Sequence, residues 1–502
     1  MPTLYTNFKW GFTGEPQSML VENGRVVERG PTPKSKVQSP KSKDLGGKWL
    51  MPSFIDEHCH ILPTGLDLKK LHLGDCASHE AVLDKLREAL PATEPGRWLL
   101  AVHYDQTRYL GGLHLTRREL DEISSQVPIL LRHVSGHASV ANTAALKAAS
   151  ILDDEPDFAG GTFRRDESGT VDGVLLEHAH ERVSAAAPRP TFEDMVEAIL
   201  LAGLSMSEVG IACASDMMTG RFNLEQELRA YARAAELGCP IRLRLYVQWG
   251  AVFGPRRIEP ALLAELAAAM NPDSCRVAGI KIFADGAIGS ATAAIYGRFC
   301  SAGPTDGKET ATSGTLMYPP DKLNRMVKTA HDAGYQVAIH SIGDYSTDLV
   351  MNALEATGEP KRHRIEHAMI LSDSQIERLA RIGCRVTMQP EFLIQFAHAY
   401  LHQLGPDRRA KLKRAKSILE AGISLSLSSD RPIVAGDPRD GIRTITNRPE
   451  GYDPSENIAA KDAWLGYTSR AADANGDGDL MGSLTPGQLS DFQVFDRDPL
   501  VL

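Results

Sequence analysis

The sequence lacks the features that mark several classes of protein. Its seven cysteines include no CxxC pair and are odd in number, which argues against a disulfide framework or a zinc ribbon and favours a reducing compartment. No segment is long and apolar enough to span a bilayer, and no basic start followed by an apolar stretch marks a signal peptide, so we expect a cytoplasmic protein. The net charge of -9 argues against a nucleic-acid partner, which would usually show clustered basic residues.

One local run is nevertheless basic. It contains Arg408, Arg409, Lys411, Lys413, Arg414 and Lys416. We interpret it as the solvated face of a helix that covers residues 408–421.

The most informative segment is a pair of histidines at the end of an apolar run. Residues 54–60 read FIDEHCH, so His58 and His60 are two positions apart. Side chains two apart on a β-strand point to the same face, so these imidazoles can share one metal ion. Cys59 points to the other face, and we interpret it as core packing.

Three later strand-like runs also end in residues that bind metals. They are VAIH, ending at His340, RIEH, ending at His367, and LSLSSD, ending at Asp430. Catalytic residues of a TIM barrel lie at the C-terminal ends of its strands, so this series predicts a metal-dependent hydrolase. Such ligands suit Zn²⁺, and also Mn²⁺ or Fe²⁺. A metal held this way lowers the pKa of bound water to roughly 7, and Asp430 could bind the metal and accept that water's proton.

Strand-like and helix-like segments alternate along most of the chain, which predicts an α/β fold with a distorted (β/α)8 TIM barrel. The strand candidates are residues 53–60, 210–217, 241–248, 279–285, 336–340, 363–367, 385–389 and 424–430. The gap of about 150 residues after the first candidate far exceeds an ordinary connection of about 2–6 residues and predicts an inserted lobe.

Short strands bounded by turns occur at both ends of the chain, including a hairpin with Asn23-Gly24 as its turn. They predict one small β domain built from the two termini. We expect residues 1–50 plus 436–502 to form this composite β domain and a C-terminal segment. Residues 51–70 plus 190–435 would form the barrel, and residues 71–189 the inserted lobe.

Lys281 interrupts the apolar run GIKIF in the fourth strand candidate. Burying a lysine with its charge unpaired is costly. A neutral or carbamylated Lys281 would explain its position, and a carbamate (a carboxylysine) would supply two oxygens that could bridge two metals. Alternatively, Lys281 reaches solvent along its apolar stem or pairs with an acid.

Six segments in this order resemble the amidohydrolase superfamily. They are MPSFIDEHCH, GIKIFADGAIGSATAA, VAIHSIGD, RIEHA, LSLSSDRP and GSLTPGQLSDFQVFD. The chain is most similar to amidohydrolase family 3, in the branch with N-substituted formamide deformylase-like and D-aminoacylase-like enzymes. The resemblance extends from about residue 3 to 500 and includes LLRHVSGHASVANTAAL in the insertion.

The resemblance implies a role for each ligand candidate. His58 and His60 would bind the more buried metal, and Lys281 matches the lysine that is carbamylated in two-metal members. His340 and His367 match the ligands of the second metal. Asp430 matches the aspartate that is both ligand and general base. In a site with a single metal, the histidines and Asp430 would remain the ligands, and Lys281 would have a role other than bridging two metals.

The chain departs from the family's usual pattern in two places. It ends at Leu502, where related chains often continue into a further strand or two of the β domain. In addition, His103-Tyr104-Asp105 replaces a segment that often carries a tryptophan, which would alter the substrate pocket.

Weaker candidates have ordinary structural explanations as well. The resemblance suggests that His137 reaches the substrate, but a loop histidine without a role is the alternative. Glu177 could approach the metals or be solvated. Asp285 could support the site or cap a turn. Arg364 and Glu366 alternate with His367 along the strand, so we expect them to face away from it as a structural pair.

The segment from Asp473 to Asp479 has the acidic spacing of an EF-hand start. Its twelfth position is Leu484 where a bidentate glutamate would be needed, so we interpret the segment as a polar loop.

The sequence thus predicts a cytoplasmic hydrolase with one or two divalent metals per chain, most simply zinc. It would cleave an amide, formamide or N-acyl C–N bond of a small molecule, and a homodimer is a possibility from the family. A deaminase or a carbamate or ester hydrolase on the same fold is one alternative. A metal-binding barrel without catalysis is another.

Overall fold

The computed structural model describes residues 2–32, 40–134, 138–158, 161–300 and 312–501, except for the side chain of Glu177. Its strands are β1 (Thr3–Trp10), β2 (Pro16–Glu22), β3 (Arg25–Gly30), β4 (Lys41–Asp44), β5 (Trp49–Pro52), β6 (Phe54–Cys59), β7 (Leu71–His72), β8 (Leu99–Tyr104), β9 (Ile129–His133), β10 (Ala138–Ala141), β11 (Gly161–Arg165), β12 (Val171–Glu177), β13 (Ile211–Thr219), β14 (Arg242–Gln248), β15 (Cys275–Phe283), β16 (Gln336–Ser341), β17 (Arg364–His367), β18 (Arg385–Met388), β19 (Leu425–Leu427) and β20 (Phe492–Phe495).

The α-helices are α1 (Ile61–Leu68), α2 (His79–Ala89), α3 (Arg117–Ile123), α4 (Thr143–Ala148), α5 (His178–Ser184), α6 (Phe192–Glu208), α7 (Leu224–Glu236), α8 (Trp249–Phe253), α9 (Pro260–Ala269), α10 (Pro320–Asp332), α11 (Asp344–Glu355), α12 (Asp373–Ile382), α13 (Phe392–Gln395), α14 (Ala397–Ala410), α15 (Ala415–Glu420), α16 (Pro438–Thr446), α17 (Ala460–Gly466) and α18 (Ser469–Ala474). Short 3₁₀ turns occupy Leu90–Ala92, Gln106–Arg108, Pro360–Arg362 and Pro454–Glu456. Among the described residues, no helix is long and apolar enough to cross a bilayer.

An eight-stranded parallel sheet forms the centre of the larger compact unit, which contains the described residues up to Thr64 and from Ile199 onward. Its order is β6, β13, β14, β15, β16, β17, β18 and β19, and these strands coincide with the eight candidates from the sequence. The backbone N–H of Asp430, just after β19, donates to the carbonyl of His58 in β6 at 2.7 Å and nearly closes the barrel. All six residues of β6 are buried, as expected for a parallel strand covered on both faces.

A second six-stranded sheet in this unit combines both ends of the chain. Strand β20 pairs antiparallel with β5, which pairs with β1, and β1 continues to β2 and β3, while β4 also pairs with β1. The hairpin between β2 and β3 turns at Asn23 and Gly24, whose φ angles of 50° and 73° match the left-handed conformation that such a turn requires. Only Ser53 separates β5 from β6, so this sheet directly precedes the strand that carries His58.

The inserted lobe forms a compact unit over Gly65–Ala198. It has its own six-stranded sheet in the order β11, β12, β10, β9, β8, β7. Leu86, Leu120, Ile129 and Val140 belong to its buried core. The lobe therefore has a strand-based core of its own.

The helix expected over residues 408–421 is wrong. Helix α14 ends at Ala410 and α15 begins at Ala415, and Lys413 between them has a φ of 52°. Lys413 is also fully buried, so the interpretation of this run as a solvated face is wrong at that residue. Neighbouring Lys411 and Lys416 are exposed, which accounts for the helix-like surface pattern.

Candidate metal centre

Three of the predicted ligands meet where β6 and β19 end. The ligand atoms of His58, His60 and Asp430 all lie within 4.8 Å of one another, and the residues are buried. Asp430 Oδ1 is 2.8 Å from His60 Nε2 and 3.5 Å from His58 Nε2. The alternation of side chains along β6 and the loop after β19 thus produce the cluster that the HxH spacing predicted.

The other two histidines lie beside this cluster. The His367 ring, at the end of β17, is 4.8 Å from the His58 ring and 4.4 Å from the His340 ring between centroids. His340 comes from the neighbouring strand β16. All four histidines thus gather at the C-terminal end of the barrel.

Lys281 points into the same cluster from β15. It is 1% exposed, so the alternative that it reaches solvent is wrong. Its Nζ lies 3.3 Å from His58 Nε2, and no described carboxylate lies within ion-pair distance of it. Burial lowers the pKa of Lys281 to about 8. A substantial fraction of its amine is therefore neutral near physiological pH, as carbamate formation requires.

Hydrogen bonds define which nitrogen two of the histidines can offer to a metal. His58 Nδ1 is 2.6 Å from Glu366 Oε2, and His340 Nε2 is 3.0 Å from the carbonyl of Gly286. Carboxylate and carbonyl oxygens only accept, so both of these nitrogens carry hydrogen. The lone pairs of His58 Nε2 and His340 Nδ1 then remain for a ligand.

The charges at the site match this assignment. Burial lowers the pKa of His58 and of His367 well below the ordinary value, which keeps both imidazoles neutral. Burial would raise the pKa of Asp430, but the neighbouring His58 and His60 outweigh it and hold that pKa below the ordinary value. Neutral imidazoles and an ionised carboxylate are the forms in which these groups bind metals.

Glu366 has a larger part than the sequence indicated. Its Oε1 accepts from Arg364 Nε at 2.5 Å, so the expected pair is present, but its other oxygen holds His58. Arg364 is fully buried and also pairs with Glu57. The expected structural pair of Arg364 and Glu366 is therefore confirmed, and Glu366 in addition orients one of the site histidines.

Asp285 organises backbone at the edge of the site. Its carboxylate accepts from the N–H groups of Ile342 and Gly343, at 3.0 and 2.8 Å, just before α11, and from Ala294. The same side chain lies 3.6 Å from His340 Nε2. The backbone contacts agree with Asp285 as a cap, and its proximity to His340 agrees with Asp285 as a support for the site.

The two candidates from the inserted lobe have no described side chain. His137 lies outside the described residues. Glu177 ends strand β12, but its side chain also lies outside them.

Sequence reasoning missed two residues behind His367. Gln389, one residue after β18, lies with its Oε1 2.8 Å from His367 Nδ1. Lys413 Nζ is 3.5 Å from the same Oε1 and 5.1 Å from the centre of the Phe392 ring. In the sequence, Gln389 is marked only as a polar residue at the end of a strand candidate. Lys413 is not distinguished from the other basic residues of its run.

Strained backbone coincides with the site. His367, Ala368 and Asp430 have φ angles of 73°, 42° and 64°, which L-residues rarely adopt. Such conformations persist where the surroundings determine them and are typical of functional sites.

The side chains fit a divalent cation. The set combines imidazoles with a carboxylate, and His60 Nδ1, although buried, has no hydrogen-bond partner among the described residues. These donors suit zinc, manganese or iron. The same end of the barrel is where catalytic residues of this fold lie.

Comparison with known proteins identifies the family. The model of the amidohydrolase family matches residues 42–502. The chain is 28% identical to the YtcJ protein of Bacillus subtilis (strain 168), over 99% of this chain and 94% of that protein. It is also 28% identical to an N-substituted formamide deformylase of Arthrobacter pascens, over 96% of this chain and 90% of the relative.

A solved structure agrees with the fold over the full length. An uncharacterized metal-dependent hydrolase from Pyrococcus horikoshii OT3 is 27% identical and superposes with a TM-score of 0.81, covering 100% of this chain and 99% of that one. Together with the family match over most of the sequence, this shows that the chain belongs to the amidohydrolase family.

Proposed function

We propose that this protein is a metal-dependent amidohydrolase that cleaves a C–N bond of a small molecule, in an amide, formamide or N-acyl group. The observation that carries the proposal is the convergence of His58, His60 and Asp430 within 4.8 Å at the catalytic end of the barrel. The family membership and the formamide deformylase among the relatives support the same reaction class.

We infer that His58, His60 and Asp430 would hold one cation, and that His340 and His367 would hold a second one bridged by a carbamylated Lys281. Zinc suits this set best, with manganese or iron as alternatives. A bound divalent cation would lower the pKa of a water molecule to roughly 7 and polarise the substrate carbonyl.

Asp430 would transfer the proton in this reaction. Its lowered pKa keeps the carboxylate ionised at neutral pH, ready to accept a proton from the attacking water. His60 Nε2 lies 2.8 Å from Oδ1, so the carboxylate stands directly beside a histidine that would hold the same cation. The proton would then be returned to the leaving nitrogen, so that an amine and a carboxylic acid are released.

A substrate panel tests this proposal. The purified protein should release an amine and an acid from N-acyl or formamide compounds, and His58→Ala and Asp430→Ala should abolish that release while remaining folded. Release of ammonia from ring amidines would instead indicate a deaminase. Fully active variants on a true substrate would contradict the proposal.

We further propose a cytoplasmic location. All seven cysteines are unpaired in the structure, which suits a reducing compartment.

A further inference from the structure

The side-chain amide of Gln389 faces His367, and the neighbours of Gln389 determine whether its oxygen or its NH₂ group does so. A glutamine amide can present either its oxygen or its NH₂ group, so it can fix a neighbouring imidazole in either tautomer. Gln389 and His367 are both almost completely buried, and no water is needed to explain their 2.8 Å contact. The groups on the far side of Gln389 therefore decide the tautomer.

Ser428 provides the first constraint. Its hydroxyl donates to the carbonyl of Met388 at 3.2 Å, and its oxygen lies 3.0 Å from Gln389 Nε2. The Ser428 hydroxyl hydrogen is used in the bond to the Met388 carbonyl, so the Ser428 oxygen can only accept from Gln389. The NH₂ group of Gln389 therefore faces Ser428.

Lys413 provides the second constraint. Its Nζ lies 3.5 Å from Gln389 Oε1, and below its lowered pKa of about 7 this group is an ammonium, which only donates. The backbone of Lys413 is anchored on both sides, by its N–H on the carbonyl of Met369 at 2.9 Å and by Arg448 on its own carbonyl at 2.8 Å. No described carboxylate lies within ion-pair distance of this buried lysine, so stability alone does not account for its position.

We propose that Ser428 and Lys413 act as positioning residues that lock the Gln389 amide, so that His367 carries its hydrogen on Nδ1 and directs the Nε2 lone pair toward the metal centre. This inference rests on the proposed function for its purpose, but the tautomer is a property of the metal-free protein. His58 and His340 are fixed by groups that can only accept, whereas His367 needs this three-residue support.

The test is the tautomer of His367 in metal-free protein that contains ¹⁵N-labelled histidine. The His367 signals are identified by comparison with His367→Asn, and one-bond and long-range couplings show which nitrogen carries hydrogen. We expect hydrogen on Nδ1 in the native protein, in Gln389→Glu, which keeps an accepting oxygen, and in the control Lys411→Met, which alters an exposed lysine two residues from Lys413. We expect the Nε2–H form to appear in Gln389→Leu and in the double variant Lys413→Met/Ser428→Ala.

Zinc competition against a chelator separates this inference from the proposed function. Gln389→Leu and the double variant should weaken zinc binding by roughly 10–100-fold, as is usual when a partner of a metal-bound histidine is removed. Hydrogen on Nε2 in the native protein would overturn the inference, as would an unchanged tautomer in both altered variants. If neither the native protein nor any variant bound zinc, the proposed metal centre would be refuted. The tautomer of His367 in the metal-free protein would still test the roles of Ser428 and Lys413.

Discussion

At the scale of single residues, the site depends on a few ionisable groups whose charge is set by burial. His58 and His367 are kept neutral, Asp430 is kept ionised, and Lys281 has a pKa lowered to about 8. Each of these shifts favours the form that binds or bridges a metal. The same groups would be costly in an ordinary core, so their arrangement is explained by function and not by stability.

Asp430 is the residue whose loss should affect the chemistry most. We expect Asp430→Asn to lower kcat/KM by roughly 10²–10⁴, because the amide cannot accept the proton of water. Circular dichroism should show a folded protein, since the amide can keep a contact with His60. A variant with more than a tenth of native kcat/KM on the same substrate would contradict the role of general base.

Lys281 should make assembly of the site depend on carbon dioxide and on pH. Only the neutral amine reacts with carbon dioxide, so reconstitution of metal-free protein with zinc should be stimulated by bicarbonate and accelerate as pH rises toward the pKa of about 8. Lys281→Met should show no bicarbonate effect. Equal reconstitution of the native protein with and without bicarbonate would show that Lys281 acts without a carbamate.

At the scale of elements, the pattern of the sequence predicted the barrel strands well but not the irregular segments between them. The continuous apolar run that ends in His340 is a strong local signal, because parallel strands are buried on both faces. Lys413 carried no such signal. Its burial follows from the break between α14 and α15 and from long-range contacts with Met369 and Arg448, and neither can be read from local periodicity.

Strand β17 should be sensitive to loss of its internal carboxylate. Glu366→Leu removes the partner of both Arg364 and His58 and leaves a buried guanidinium with one carboxylate fewer, so we expect it to lower the free energy of unfolding by about 3–5 kcal/mol. Glu366→Gln keeps an accepting oxygen and should be milder. Urea unfolding of both metal-free variants measures this, and equal stabilities would contradict the importance of the charged pair.

In contrast, replacing Lys413, the buried lysine between α14 and α15, should not lower the free energy of unfolding of the protein. Burial lowers the pKa of Lys413 from 10.5 to about 7, so the unfolded chain binds the proton more strongly than the folded one between these values. The stability of the native protein should therefore rise with pH from about 7 to 10.5, by at most about 1.4 kcal/mol per pH unit from this group.

The variant Lys413→Met should be as stable as the native protein or more so, with a smaller rise over that pH range. Lys411→Met, which alters an exposed residue, should keep the native pH dependence. Identical pH profiles for the native protein and Lys413→Met, measured by urea unfolding without metal, would contradict the burial of an unpaired lysine.

At the scale of the whole molecule, residues far apart in the sequence hold the barrel at the end opposite the metal centre. The acidic segment that mimics an EF-hand directs its carboxylates to arginines near the strand starts: Asp473 pairs with Arg385 at 2.8 Å, and Asp477 pairs with buried Arg244 and with Arg276. These carboxylates hold the C-terminal segment to the barrel, which gives the acidic residues of this segment a structural role.

Asp477 should consequently matter for global stability. We expect Asp477→Ala to lower the free energy of unfolding by about 3–5 kcal/mol, because Arg244 would remain buried without its partner. Exposed Asp479 offers a matched control, and Asp479→Ala should change stability by less than about 0.5 kcal/mol. Equal thermal unfolding of the two variants would show that this contact is dispensable.

The most direct test of the central claim is elemental analysis of the purified protein for zinc, manganese and iron, alongside His58→Ala, His340→Ala and Lys281→Ala. We predict one or two divalent metals per chain in the native protein, fewer in His340→Ala and Lys281→Ala, and the greatest loss in His58→Ala, whose side chain belongs to the tightest group of ligands. A native protein without metal, or a metal content that is the same in all three variants, would contradict the assignment of this site.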